Sequence, residues 1–173
     1  MPIIAVKKMG EKSLLVPSLP VENFASKALY ALIEDMKATM KAEDGVGIAA
    51  PQIGCNQRVV IFGFEYYNRY SDEDAIPFTV LINPTIEILS EEMEDGWEGC
   101  LSVPGLRGLV PRYTYIKYSG FDAEGKAFSF MAKDFHARVV QHEVDHLEGI
   151  LYPHRIKDMR FFGFQDVLFA KSG

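Results

Sequence analysis

Two histidines and a glutamate stand together in the last third of the 173-residue sequence, in the run His142-Glu-Val-Asp-His146. On a helix, residues four apart project only about 40° apart, so both imidazoles can reach one ion. Glu143 follows the first histidine directly, where it can stand beside a metal-bound water as a general base. The pattern predicts a catalytic metal site. A five-residue match also arises by chance, and on the pentad alone His142 and His146 could be ordinary surface or core residues.

A catalytic metal usually has three protein ligands, so a third ligand must come from elsewhere in the chain. Cys100 is a candidate because it lies in the glycine-containing segment Glu98-Gly-Cys-Leu-Ser102, where the backbone can approach a ligand closely. The alternative for Cys100 is a small buried apolar residue, the commonest fate of a free cysteine and the one we expect for Cys55. By spacing, His136 and His154 are expected to be surface or structural histidines.

The H-E-x-x-H residues lie on a predicted helix that begins near Asp134, a good N-cap residue, and runs to Gly149, a good C′ residue. An earlier amphipathic helix is predicted over residues 21–41, where apolar residues recur at steps of three and four. Asp44-Gly45 is expected to end it. The second helix carries the chemistry, so the rest of the fold must pack around it.

The middle of the chain is predicted to be mainly antiparallel sheet, because stretches rich in β-branched and aromatic residues alternate with turn residues. The predicted strands cover residues 58–64, 78–82 and 114–121. Turn signals stand at 83–84, 95–96, 104–105 and 123–125, and residues 66–74 are predicted to form an exposed loop. The expected fold is α+β, with antiparallel β-sheets packed around the central H-E-x-x-H helix and an additional N-terminal helix. Residues 1–173 are expected to form a single domain.

Composition excludes several classes of protein. The net charge of −6 and the isoelectric point near 5.2 argue against a nucleic-acid binder, which needs a surplus of Lys and Arg facing phosphates. Two cysteines cannot make a disulfide framework, and no segment reaches the roughly 20 apolar residues that span a bilayer. The N-terminus lacks a signal-peptide core. We therefore expect a cytoplasmic protein without membrane partners, or an organellar one.

Three separated segments together resemble one family. They are Gly45-Val-Gly-Ile-Ala-Ala-Pro-Gln52, Glu98-Gly-Cys-Leu-Ser102 and Gln141-His-Glu-Val-Asp-His-Leu-Glu-Gly149. In order and spacing they are similar to the peptide deformylases, and the resemblance covers nearly the whole chain. It implies a metal-dependent hydrolase that removes the formyl group from the N-terminal formylmethionine of newly synthesised proteins.

The resemblance also implies a role for each matching residue. The ligands of one divalent metal ion would be Cys100, His142 and His146. The family's ion is usually Fe²⁺, and Zn²⁺, Ni²⁺ or Co²⁺ can occupy the same site. A metal-bound water would attack the formyl carbon while Glu143 takes its proton and returns it to the leaving amine. The Gln52 side-chain amide and the Leu101 backbone N–H would stabilise the charge on the formyl oxygen.

In the same family the substrate peptide binds as an added strand, which here would meet the backbone near Val46, Gly47 and Gly99. Methionine requires an apolar pocket, and Arg107 resembles a residue of its rim. The candidate pocket residues, each of which could equally be plain core, are Val46, Trp97, Phe135 and Val139. A Glu98–Arg112 ion pair is expected to fix the Cys100 loop.

The sequence departs from the family's pattern at two places. Arg138 stands at a helix position that many members fill with an apolar residue, so the family's pattern does not predict the rim of the pocket at this position. The tail over residues 160–173 lacks the long basic helix that some bacterial members extend toward the ribosome, so the ribosome remains a candidate partner without a predicted docking mode. Residues 102–107 carry no insertion, which resembles the Gram-negative and organellar branch more than the Gram-positive one.

Two other functions compete with this interpretation. An H-E-x-x-H peptidase that cleaves internal peptide bonds shares the two histidines and Glu143, but such enzymes typically use histidine or glutamate as the third ligand, where this chain offers Cys100. A metal-binding or peptide-binding domain without catalysis could keep the fold. Neither Glu143 nor Gln52 is needed merely to hold an ion, which argues against that second alternative.

Overall fold

A computed structural model describes residues 2–64 and 75–171 of the chain. The strands are β1 (Gly47–Ala49), β2 (Val59–Phe62), β3 (Thr79–Ile88), β4 (Met93–Cys100), β5 (Val103–Tyr113), β6 (Tyr115–Phe121), β7 (Ala127–Lys133) and β8 (Phe162–Phe164). The helices are α1 (Lys27–Ala42), α2 (Asp134–Leu147) and the short α3 (Gln165–Leu168). Within these described parts, no helix is long and apolar enough to cross a membrane.

The strands form two antiparallel sheets, one of five strands in the order β1-β2-β3-β6-β7 and one of three in the order β4-β5-β8. Helix α2 lies between them and contacts β1, β2, β6 and β7 of the larger sheet and β5 of the smaller one. The predicted α+β fold, with antiparallel sheets packed around the helix that carries the H-E-x-x-H residues, is therefore confirmed.

The core has two layers that share strand β2. Side chains alternate across a strand, and here Val60 and Phe62 pack with buried residues of α2, whereas Val59 and Ile61 pack with buried residues of α1. All four side chains are fully buried. A strand covered on both faces can be apolar at every position, which explains the run Val59–Phe62. The sheet thus holds α2 on one face and the N-terminal helix on the other.

Helix boundaries differ from the predicted ones at the N-terminal ends. The first helix does not begin at residue 21 but at Lys27, because the Ser26 hydroxyl accepts a hydrogen bond from the Leu29 backbone N–H at 3.2 Å and caps the helix there. Asp134 is the first helical residue of α2 and Lys133 is the cap, one position earlier than predicted. Gly149 follows the last turn of α2 with a φ of 72°, the left-handed conformation that ends many helices.

Three of the predicted turns lie inside strands. Strand β3 continues through Asn83-Pro84 with a register shift between Ile82 and Thr85, and the Asn83 side chain bonds the backbone N–H and C=O of Val21 at 2.9 Å each. Residues 95–96 and 104–105 belong to β4 and β5, so the smaller sheet was missed as sheet. The turn at 123–125 does connect β6 to β7. The predicted loop 66–74 lies outside the described residues.

Candidate metal centre

Three potential ligand side chains converge between α2 and the end of β4. His142 and His146 lie one turn apart on α2 with ring centroids 5.3 Å apart. Cys100 is the last residue of β4, and its Sγ lies 3.4 Å from His146 Nε2. One ligand atom from each of the three residues lies within 4.8 Å of the others. The helix and the sheet therefore bring together the three residues that the sequence singled out as a ligand set.

Glu98 orients His142. The carboxylate Oε1 lies 2.7 Å from His142 Nδ1, so a proton on Nδ1 is held there and the Nε2 lone pair is left for a ligand. Arg112 donates two hydrogen bonds to the same carboxylate, from Nε and Nη2, each at 2.9 Å. Burial raises the pKa of Glu98, but the hydrogen bonds from Arg112 and His142 outweigh it and hold the pKa far below its usual range. The expected Glu98–Arg112 pair is present, buried and bidentate.

A second carboxylate extends this ion network. Arg112 Nη1 donates to Asp145 Oδ2 at 2.6 Å, and Arg155 Nη2 donates to Asp145 Oδ1 at 2.8 Å. Asp145 lies on α2 beside His146, Arg112 on β5, and Arg155 in the turn after α2. Arg112 and Asp145 are buried charges, which are stable only when each is paired and hydrogen-bonded, as these are, whereas Arg155 is exposed and joins the network from the surface. The network ties the ligand-bearing helix to the smaller sheet.

The chemistry of the three donors fits a soft divalent metal ion. Burial raises the pKa of the Cys100 thiol, but the charge of His146 and hydrogen bonds from both histidines outweigh it and hold the pKa well below 9. The thiolate is the form that binds metals. Burial lowers the pKa of His142, whereas its hydrogen bonds to Cys100 and Glu98 raise it well above its usual value. A metal ion binds the thiolate and the neutral imidazole, so its binding at these residues would release protons.

Glu143 lies directly beside this group with its carboxylate buried. Glu143 is only 5% exposed, and its Oε2 has no hydrogen-bond partner among the described residues. Burial raises the pKa of Glu143 to about 7, so both protonation states are accessible near neutral pH. Gly47 gives it room, because a Cβ at Gly47 would lie 2.5 Å from Glu143 Oε1. The carboxylate can therefore accept a proton from, and return one to, a group bound in the site.

The Gln52 side chain is held in place beside Cys100. It lies in the 3₁₀ turn after β1 and is 1% exposed. Its Oε1 accepts a hydrogen bond from the Ala49 N–H at 2.8 Å, which fixes the orientation of the amide. Its Nε2 donates to Ser102 Oγ at 3.1 Å and lies 3.5 Å from Cys100 Sγ. An N–H group of Gln52 is therefore directed at the ligand cluster.

A cavity of about 490 Å³ opens beside the three converging residues. It is lined by nearly all the residues for which the sequence suggested a role. These are Val46, Gly47, Gln52, Trp97, Gly99, Cys100, Leu101, Arg107, Phe135, Val139, His142 and Glu143. His146 alone of the predicted set does not line it and is 2% exposed. The cavity thus joins the potential metal ligands to apolar side chains of α2, β4 and the segment before β1, with charged residues such as Glu98 and Arg138 beside them.

Several residues around the site carried no clear signal in the sequence. Asp145 and Arg155 complete the ion network, and Ser102 holds the Gln52 amide. The Tyr152 ring stacks on His142 with centroids 6.0 Å apart and an interplanar angle of 25°. Gln165 of α3 also lines the cavity, so the C-terminal tail reaches the site. Asp145 and Ser102 lie inside the motifs and could have been suspected, whereas nothing in the tail pointed to Gln165.

Comparison with known proteins identifies relatives along almost the whole chain. The family model described as polypeptide deformylase matches residues 3–161. Peptide deformylase 2 of Ralstonia nicotianae is 60% identical over 166 residues, which is 96% of this chain and 94% of that protein. Peptide deformylase 1 of Bordetella pertussis is 59% identical over 169 residues, covering 98% of this chain and 96% of that protein.

Solved structures agree with the fold. The Met-Ala-Ser-bound crystal structure of class I type b peptide deformylase from Acinetobacter baumannii is 42% identical in sequence and superposes with a TM-score of 0.83. The match covers 90% of this chain and 99% of that one. The resemblance found in three short segments therefore extends to the arrangement of the whole backbone.

Proposed function

This chain belongs to the polypeptide deformylase family, and we propose on that basis that it removes the N-formyl group from the N-terminal formylmethionine of newly synthesised proteins. One observation carries the proposal. Cys100, His142 and His146 converge within 4.8 Å, and Cys100 and His142 line a cavity together with the buried Glu143. A water-activating group and a peptide-sized cleft therefore meet at the same point.

The proposed cofactor is one divalent metal ion held by Cys100, His142 and His146. When bound there, the ion supplies Lewis acidity, which polarises a carbonyl and lowers the pKa of water. Family membership and the cluster of one sulfur and two imidazole donors support metal dependence. We propose Fe²⁺ as the physiological ion, with Zn²⁺, Ni²⁺ or Co²⁺ able to replace it, because thiolate and imidazole ligands suit all four.

Glu143 is proposed to move the proton. It takes a proton from the attacking water and returns it to the amine nitrogen as the bond between that nitrogen and the formyl carbon breaks. Formate and the peptide, whose N-terminal methionine now carries a free amine, then leave. The buried carboxylate oxygen without a described hydrogen-bond partner supports this role, since it is open to a proton donor in the cavity.

Gln52 and Leu101 are proposed to stabilise the negative charge that develops on the formyl oxygen. The Gln52 amide is held by Ala49 and Ser102, so its N–H groups need no reorientation during the reaction. The backbone N–H of Leu101 follows Cys100 directly and lies at the lining of the same cavity. Preorganised donors of this kind typically contribute about 100- to 1000-fold to turnover.

The methionine side chain is proposed to enter the apolar part of the cavity, against Val46, Trp97, Phe135 and Val139. The peptide backbone would pair as an added strand with main-chain groups near Gly47 and Gly99, with Arg107 at the rim. The Acinetobacter relative was solved with Met-Ala-Ser bound, which supports a side-chain pocket for methionine in this fold.

The cellular setting is also a proposal. We propose that residues 1–173 act as one catalytic domain in the bacterial cytoplasm, on nascent formylmethionyl peptides, with the ribosome as a candidate partner. Bacterial relatives that cover nearly the same length support this. The net charge of −6 offers no general surplus of cations for nucleic acid, so a ribosome contact would have to be local.

The decisive assay uses protein purified without oxygen, with formyl-Met-Ala-Ser and its unformylated counterpart as substrates and metal analysis alongside. We expect formate release from the formylated peptide and no cleavage of internal bonds in either. Equal cleavage of internal bonds in both peptides would instead identify a peptidase. Activity of protein that was purified without oxygen and contains iron would support Fe²⁺ as the ion. Activity after zinc or nickel has replaced the iron would support the proposed alternatives.

The ligand set has its own test. Cys100→Ala should lose the metal ion, because two imidazoles alone bind a divalent ion much more weakly than the complete set. Cys55→Ala is the matched control, since Cys55 is the chain's other cysteine and lies away from the cavity lining. Full metal occupancy in Cys100→Ala, measured by elemental analysis, would remove Cys100 from the ligand set.

A further inference from the structure

Arg138 bridges three elements at the inner wall of the cavity. It lies on α2 one turn before His142, and its side chain is 13% exposed. Nη1 donates to Glu98 Oε2 at 2.8 Å and to the Val110 carbonyl at 2.7 Å. Nη2 donates to the Glu94 carbonyl at 2.6 Å. The guanidinium is therefore held rigidly between α2, β4 and β5.

Gly96 leaves the space that this guanidinium fills. A Cβ at Gly96 would lie 2.6 Å from Arg138 Cζ and 2.7 Å from Nη2, closer than such atoms approach. The position on β4 that a side chain would normally occupy is thus taken by a side chain from α2. Arg138 and Gly96 act as one packing unit, and a larger residue at either place would disturb the other.

A second cavity of about 210 Å³ lies behind this unit. Arg138 and Phe135 line both this cavity and the larger one that contains the potential metal ligands. The smaller cavity is also lined by Asp95, Gly96 and Thr114. Arg138 and Phe135 are therefore shared between the walls of the two cavities.

The larger cavity is arranged along α2. Phe135, Arg138, Val139 and His142 stand at helical steps of three and four on one face, and all line it. At about 1.5 Å per residue, Arg138 lies about 6 Å along the helix from His142, comparable to the length of a methionine side chain. A side chain that ran from His142 along this face of α2 would therefore reach Arg138 after about 6 Å.

We propose that Arg138 is a specificity-determining residue which closes the inner end of the methionine pocket and limits the length of the side chain that the enzyme accepts. The inference rests on the proposed function. The hydrogen bonds of the guanidinium to protein groups hold it in one place opposite Gly96, so that it presents a fixed stop.

The test compares two substrates in wild type and Arg138→Ala. One is formyl-Met-Ala-Ser and the other carries 2-aminooctanoic acid, with a six-carbon side chain, in place of Met. We expect the ratio of kcat/KM for the long over the normal substrate to rise by about 10-fold or more in Arg138→Ala, since each methylene in a pocket changes discrimination by about 10-fold or more. Loss of the Glu98 contact alone would slow both substrates equally and leave the ratio unchanged.

Two further variants keep the result interpretable. Arg58→Ala is the matched control, because Arg58 also ties α2 to a neighbouring element, with Nη2 donating to Glu148 Oε1 at 2.7 Å, yet does not line the cavity. Its ratio should equal that of wild type. Arg138→Lys keeps a cation beside Glu98 but is too slender to fill the same space, so its ratio should also rise. A ratio within twofold of wild type in both Arg138 variants, with metal retained, would overturn the proposal.

Peptide binding separates this inference from the proposed function. Trp97, the chain's only tryptophan, lines the cavity and reports on occupancy by fluorescence. Should wild type fail to release formate, the unformylated peptides Met-Ala-Ser and its aminooctanoyl analogue can still be titrated. If Arg138→Ala raises the affinity for the longer peptide relative to that for Met-Ala-Ser, the result supports Arg138 as the residue that limits side-chain length, even though deformylation had failed. No fluorescence response to either peptide in wild type would overturn the pocket stop.

Discussion

The two ends of helix α2 place histidines in opposite environments. At the C-terminal end, His142 faces the Glu98 carboxylate at 2.7 Å and His146 lies 3.4 Å from Cys100 Sγ. At the N-terminal end, His136 packs among the rings of Phe62, Tyr118 and Phe130, with centroids 6.1, 5.6 and 5.5 Å away. We call residues 142–146 with their partners the polar end of α2, and His136 with its three neighbouring rings the aromatic end.

The pKa values of these histidines diverge for the same physical reason. Burial lowers the pKa of His136 to about 4, because among the described residues no carboxylate faces its ring to offset the loss of water. Burial acts in the same direction on His142, but its acidic partners outweigh it and raise the pKa. The two imidazoles therefore differ in whether anions accompany them into the interior. We expect substitutions at the polar end to change catalysis and those at the aromatic end to change stability.

Glu143→Ala should give the largest effect at the polar end. A general base contributes about 100- to 10,000-fold, so kcat on formyl-Met-Ala-Ser should fall by that factor. Bound metal should stay near the wild-type amount because Glu143 is not among the three converging ligand residues. Removing a buried carboxylate oxygen without a described partner should not lower the thermal midpoint. A variant that keeps a tenth of wild-type kcat would exclude Glu143 as the proton carrier.

Glu98→Gln should weaken metal binding by about 10- to 100-fold, as loss of a carboxylate behind a histidine ligand typically does. The amide cannot balance the charges of Arg112 and Arg138, which both donate to Glu98. Competition with a chelator measures the affinity. Glu148→Gln is the control, since Glu148 follows the same helix but pairs with Arg58 at the surface. Equal affinities in the two variants would mean that the polar end does not depend on its carboxylate.

The polar end could be predicted from sequence because its spacing is local. A helix fixes the angle between residues four apart, so His142 and His146 converge whatever surrounds them. Cys100 and Gln52 were assigned by motif, and the structure places both at the same cavity. The aromatic end could not be predicted in this way, because Phe62, Tyr118 and Phe130 come from three different strands of the larger sheet.

The sequence does not predict the smaller sheet, because its glycines are required by packing between elements and not by turns. Asp95-Gly96 has the chemistry of a turn, yet it lies in β4, paired with residues 110–111 of β5. Gly96 is needed there because Arg138 occupies the place of its side chain. Gly47 is needed because Glu143 lies against it. Such contacts join residues that are far apart in sequence, so a single sequence cannot distinguish them from turn glycines.

Gly47→Ala tests whether the polar end needs this close contact. The added Cβ would lie 2.5 Å from Glu143 Oε1, so the carboxylate must move. Misplacing a catalytic group by about 1 Å can cost up to about 100-fold, and we expect kcat to fall by about 10-fold or more with metal content unchanged. Gly163→Ala is the control, because a Cβ there would make only ordinary contacts with Leu168, at 3.5 Å or more. Equal kcat values in the two variants would show that Glu143 tolerates displacement.

His136→Phe should leave kcat within about twofold of wild type and change only the pH dependence of stability. Because the pKa of His136 is lowered to about 4 in the folded protein, the unfolded chain binds the extra proton between about pH 6.5 and 4. The contribution of neutral His136 to stability is therefore fully present above pH 6.5 and is lost as the pH falls toward 4. Tyr118, whose pKa burial raises to about 12, does not titrate in this window.

Thermal midpoints of wild type and His136→Phe at pH 7 and pH 5 measure this loss. The partly exposed ring reduces the effect to the order of 1 kcal/mol, so the wild-type midpoint should fall by about 2–4 °C more than that of the variant. His154→Gln is the control. Because His154 is exposed, this substitution should leave the change in thermal midpoint between pH 7 and pH 5 the same as in wild type. If His136→Phe instead lowers kcat tenfold at constant stability, the aromatic end is coupled to catalysis and the division of α2 into two functional ends fails.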